Sequence, residues 1–267
     1  MATVATSAFA SRPVETVQGQ GVPIGAINSP ALATVLYDNI PTGAETVFTT
    51  TTNPRTTGAD EALFNGSAFN LTSMQFGFSI ATGGPAAFDV RVRLWDDLEP
   101  TGTTVAGTPQ FVNLVKDFTV SFSGQTTGAF ITNPIAIPGG AIVHDNAATL
   151  GVGGVSDVYV QLDFVQPGTT TPVAGNLVTF IFDGSGVNVG RTLADPAFGG
   201  DGTAASELYW RDASGNQILS VDEARNFAAP NRANFVLHLE GDVVPEPASL
   251  SLVGLGLVGL GRRRRHA

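Results

Sequence analysis

The 267 residues contain no cysteine, only 13% charged side chains and a formal charge of −10, alongside 32 glycines and 16 prolines. Without thiols there is no disulfide framework and no thiol catalysis, and so acidic a surface excludes a nucleic-acid partner, whose phosphates need a basic face. What remains is a turn-rich β composition with 43% hydrophobic residues to build a core.

In chain order, residues 1–30 read as a lead-in or as the remnant of a signal peptide. Ala8-Phe9-Ala10 has the small-x-small form of a signal-peptide end, but neither a basic n-region nor an apolar h-region precedes it. The expectation is that those parts lie upstream of Met1.

Residues 31–242 alternate with the period of half-buried strands. The apolar positions Phe69 and Leu71 are odd, whereas Met74, Phe76, Phe78 and Ile80 are even. One extra residue near Thr72-Ser73 explains the change of parity, and a β-bulge or bend is predicted there. In Phe88 to Leu94 the even positions are apolar and the odd ones charged, and similar alternation runs through Phe118 to Phe122, Val158 to Phe164, Val178 to Phe182 and Phe235 to Leu239. Asn65-Gly66, Gly83-Gly84-Pro85, Pro138-Gly139-Gly140, Pro167-Gly168 and Asp183-Gly184 punctuate the strands as turns. The predicted fold class is all-β: antiparallel sheets with one wet face each, packed as a jelly-roll-like β-sandwich. One helical turn or two is expected after the capping box Ser220-Val221-Asp222-Glu223, bounded by Pro230.

Catalytic signals are sparse. His144 and His238 are the histidines outside the tail, and both are expected at the surface, His238 on the polar side of a strand. The sequence has no Gly-x-Ser-x-Gly elbow, zinc-ligand spacing or phosphate loop, so no enzyme is expected. Asp96, Asp97 and Glu99 read as a solvated hairpin tip or a calcium loop, and Asp183 to Asn188 offers a second oxygen-rich loop. Calcium is thus the one cofactor left open, with no loop singled out. Trp95, Tyr209 and Trp210 are the candidates for stacking on sugar rings, against a core-filling role for the same rings.

Residues 243–267 have a different character. Val243-Val244-Pro245-Glu246-Pro247 leads into an uncharged stretch from Ala248 to Gly261, which ends on Arg262, Arg263, Arg264 and Arg265. As a helix the apolar stretch spans roughly 21 Å, short of the roughly 30 Å hydrocarbon core, although arginine side chains can snorkel and extend its reach. The expectation is a short C-terminal transmembrane helix. Its basic end is a cytoplasmic stop that leaves the body outside the inner membrane, and four glycines suit it to transient residence. Losing the four arginines takes the formal charge from −10 to about −14.

This three-part tail resembles the PEP-CTERM sorting signal of Gram-negative bacteria. The resemblance implies recognition by an exosortase-type membrane enzyme through Val244, Pro245, Glu246 and Pro247, and cleavage near that motif. Delivery to the cell surface or an exopolysaccharide matrix would follow. Val35-Leu36-Tyr37-Asp38-Asn39 and Arg93-Leu94-Trp95-Asp96-Asp97 also look loosely like segments in the β-sandwich bodies of other PEP-CTERM proteins. The function expected is a structural or adhesive surface protein. The alternatives are a carbohydrate-binding module, calcium-stabilised or not, and a secreted polysaccharide hydrolase.

Overall fold

A computed structural model describes residues 15–24, 34–41, 47–48, 56–65, 68–98, 111–144, 155–174, 177–183, 189, 207–212, 224–227 and 234–244. The strands in chain order are β1 (Glu15–Gln18), β2 (Gly21–Pro23), β3 (Thr34–Asp38), β4 (Val47–Phe48), β5 (Thr57–Asn65) and β6 (Ala68–Ile80). Next come β7 (Phe88–Leu98), β8 (Phe111–Phe122), β9 (Gly128–Thr132), β10 (Ile135–His144), β11 (Val155–Val165) and β12 (Val178–Phe180). The last are β13 (Phe182–Asp183), β14 (Glu207–Arg211), β15 (Ala224–Phe227), β16 (Asn234–Phe235) and β17 (Leu237–Val243). No helix occurs among the described residues.

One seven-stranded sheet runs β1-β8-β7-β11-β5-β14-β15. A second runs β2-β9-β6-β17-β3, with β10 and β12 also pairing to the long β6, and β16-β13-β4 form a third, small sheet. The strand pairs are antiparallel except β1 with β8. Residues 15–23, within the span read as a lead-in, thus supply an edge strand to each large sheet.

Phenylalanines from both large sheets share one core. Phe78 of β6 lies 5.4 Å from Phe88 of β7 and 5.0 Å from Phe122 of β8, while Phe88 and Phe122 stack at 5.0 Å. Each ring is fully or almost fully buried, and each such burial contributes about 1.5–3 kcal/mol. At the small sheet, Phe180 stacks on Phe235 at 4.4 Å.

The predicted bulge is Thr72. On β17, Glu240 pairs with Ser73 and Gly241 with Leu71; on β10, Ala136 pairs with Ser73 and Ala141 with Leu71. Both neighbours skip Thr72, which resets the parity of β6. The Pro138-Gly139-Gly140 signal is not a chain reversal but the wide irregularity of β10 opposite this bulge. Gly139 and Gly140 adopt φ of +68° and +71°, and a Cβ on Gly140 would stand 2.4 Å from Asn70 Oδ1.

Three expectations need correction. First, the outer face of the first sheet is not uniformly wet: Glu61, Gln161 and Asp163 are buried along with the apolar residues that alternate with them. Second, His238 is not at the surface but 4% exposed, because β17 is an inner strand between β6 and β3. Third, the expected helix around Ser220 to Pro230 includes Ala224–Phe227, which is strand β15 paired to β14. There the cross-strand ladder outweighs a local capping signal, and Ser220 to Glu223 lie outside the described residues.

Candidate functional site

The tail leaves the body at the end of β17. Asp242 pairs with Asn70 and Val243 with Phe69, and the last rung is the Val244 N–H donating to Ala68 O at 3.0 Å. Pro245 has no N–H to donate to a further rung. Val243 is 64% exposed, and the strand surfaces where the motif begins. Pro245, Glu246, Pro247, the apolar stretch and Arg262 to Arg265 lie outside the described residues. Among the described residues, no helix is long and apolar enough to cross a membrane.

The same strand carries a buried imidazole between two acids. His238 Nδ1 lies 3.0 Å from Asp38 Oδ1 on β3, and Nε2 lies 3.3 Å from Glu240 Oε1. Burial pulls the imidazole pKa down, but the hydrogen bonds and charges of Asp38 and Glu240 outweigh it, and the net direction is upward.

The three aromatic candidates stand on two strands, Trp95 on β7 and Tyr209 with Trp210 on β14. Trp95 is half-buried. Its indole N–H donates to Gln161 Oε1 at 3.1 Å, and its ring lies 6.2 Å from Phe111. In the register of β14, Tyr209 falls opposite Asp60 and Trp210 opposite Ala59, and their side chains lie outside the described set. Strands β11 and β5 intervene between β7 and β14, a backbone separation of roughly 14 Å at three strand spacings.

Trp95 opens a polar ladder that alternation alone does not reveal. The Gln161 side-chain amide donates to Asp163 Oδ1 at 3.0 Å, and the Arg93 guanidinium donates to Asp163 Oδ2. Burial pushes the Asp163 carboxyl above its usual range, against the opposing charge of Arg93.

Asp96 is not a solvated tip. It is 6% exposed; its Oδ1 accepts the His144 N–H at 2.7 Å, and its Oδ2 lies 2.9 Å from His144 Nδ1. The 48-residue separation hid this contact between Asp96 of β7 and His144 of β10 from local reading. The Asp97 side chain, Glu99 and residues 184–188 of the second candidate loop lie outside the described residues. Among the described residues no group of three or more His, Asp or Glu side chains is placed to hold a metal ion.

Residues 243–265 match the family model of the PEP-CTERM protein-sorting motif. No curated protein and no solved structure matches the chain.

Proposed function

We propose, from the premise that a PEP-CTERM protein-sorting motif occupies residues 243–265, that this chain is an exported protein processed by an exosortase-type membrane enzyme. The observation that carries the reading is the end of β17. The last rung, Val244 N to Ala68 O, immediately precedes Pro245-Glu246-Pro247. Two prolines hold that segment extended, the form in which a processing enzyme binds a chain. Cleavage there leaves every rung of β17 among the described residues in place. The apolar stretch serves as a transient inner-membrane anchor and the four arginines as its cytoplasmic stop, with the body held outside.

The body is then a jelly-roll-like β-sandwich delivered to the cell surface or an exopolysaccharide matrix, in a structural or adhesive role. Support for the sandwich comes from the phenylalanines that both large sheets contribute to one core. Support for a structural role comes from the use of its titratable groups. His238 with Asp38, and Arg93 with Asp163, tie strands together.

The test is the double substitution Pro245→Ala, Glu246→Ala, with cell fractionation and mass spectrometry of the product. The expected result is a full-length chain retained in the inner membrane. Normal processing and normal surface release of this variant would refute the sorting reading.

A further inference from the structure

Between β1 and β2 the chain crosses from one large sheet to the other through Gly19-Gln20. Here the backbone lies directly on the rim of the core. A Cβ on Gly19 would stand 2.6 Å from the Phe122 ring and from Val120 Cγ1, and one on Gly21 would stand 2.7 Å from the Phe78 ring. The crossing is therefore a floor of bare backbone. Around it Gln18, Gln20, Ser123, Gln125, Thr126 and Asn133 line a cleft of about 620 Å³, within the range of small-ligand sites.

In a chain of formal charge −10, no described residue of this lining is ionisable. Three of the four lining amides are hydrogen-bonded. Asn133 Nδ2 donates to Gln20 Oε1 at 3.1 Å, and Gln125 Nε2 donates to Ser123 O at 3.2 Å. This leaves the Gln20 amide nitrogen as a donor and the side-chain oxygens of Asn133 and Gln125 as acceptors. Three backbone donors at the cleft are engaged: Gly19 N with Ser121 O, Gln125 N with Ala86 O, and Asn133 N with Gln20 O.

We propose that this cleft binds an uncharged polyhydroxyl ligand, a segment of neutral glycan. Separate, oriented amide donors and acceptors match hydroxyl groups, each of which both donates and accepts. A charged ligand would lose its hydration here without gaining a counter-charge, and an anion would also meet the acidic field of the chain. The inference rests on the adhesive reading of the body and gives it a ligand class.

The experiment is calorimetric titration of the purified full chain with maltohexaose, cellohexaose and mannohexaose as neutral probes and hexagalacturonate as the charged one. The expected result is saturable binding of at least one neutral hexaose and none of the acid. Gln20→Ala with Asn133→Ala should weaken that binding about tenfold, as expected for two lost hydrogen bonds. Gln125→Glu, which keeps the shape and adds a charge, should weaken it too, and Trp95→Phe should leave it unchanged. Absence of saturable neutral binding, equal binding of hexagalacturonate or of an uncharged peptide, or loss on Trp95→Phe alone would each overturn the cleft. So would full affinity in a folded Gln125→Glu protein. Because titration is read on purified protein, a negative result leaves the processing phenotype of the tail variant untouched.

Discussion

His238 Nδ1 stands 3.0 Å from Asp38 Oδ1, a side-chain tie between β17 and β3 in addition to their backbone ladder. With Glu240 on the other ring nitrogen, the imidazolium can donate to a carboxylate on each side. Across the sheet His238 falls opposite Gln75 of β6, whose amide donates to Thr132 O, so that neighbour brings no opposing charge. A pKa raised above the unfolded value stabilises the fold through the protonated form. That contribution is complete below the unfolded histidine value of about 6.5 and is lost as pH rises through the folded pKa. The urea midpoint should therefore fall as the pH is taken upward from about 6.5, and His238→Gln should flatten that part of the profile. An unchanged slope in the variant would place the pH dependence elsewhere.

Asp163 tests whether the outer polar ladder is sealed. Asp163→Ala leaves the Arg93 guanidinium without its counter-charge and the Gln161 amide without its acceptor, and it should cost about 3–5 kcal/mol. Asp163→Asn keeps an acceptor for one of the two donors and turns an amide nitrogen toward the other, so it should cost less than the alanine but not nothing. Replacing the pair together, with Arg93→Met and Asp163→Leu, should recover the part of that loss due to the unpaired charge and leave the part due to the Gln161 amide, which still lacks its acceptor. Urea titration of the four proteins reads all three expectations. A loss below about 1 kcal/mol for Asp163→Ala, the size of an exposed pair, would mean that water reaches the ladder.

The contrast between Thr72 and Gln161 shows what could be read in the chain. Thr72 was legible because a bulge changes the parity of neighbouring residues, and parity is local. Likewise the apolar set of Phe88 to Leu94 marks the face turned to the common core. Alternation does not say whether the opposite face is also covered, since that depends on segments distant in sequence. Gln161 and Asp163 therefore looked like solvent-facing residues while being 2% exposed. His238 was misplaced for the same reason: its strand ends up between two others. The parallel pairing of β1 was invisible because Glu15 to Gln18 carries one apolar residue, Val17, and no alternation. The amide cleft was illegible too, since Gln20 and Asn133 meet across 113 residues. The sorting motif, by contrast, is contiguous, and its order of proline pair, apolar stretch and arginines needs no fold to be recognised.

The boundary between body and tail makes the last prediction. A chain ending at Val244 keeps the pairing of β17 with β6 through Val243↔Phe69 and the closing bond to Ala68. It should melt at the same temperature as the full chain in calorimetry. A chain ending at Leu239 loses Glu240 from His238 and the pairings of Gly241, Asp242 and Val243. It should melt lower, and the upward-pH loss of stability should shrink with it. In hydrogen exchange the first truncation should leave the β6 amides as protected as before, and the second should open those opposite the deleted residues. A drop in melting temperature on ending the chain at Val244 would mean that the tail packs on the body. Processing at Pro245-Glu246-Pro247 would then weaken the protein it releases, and a transient anchor would no longer account for that segment.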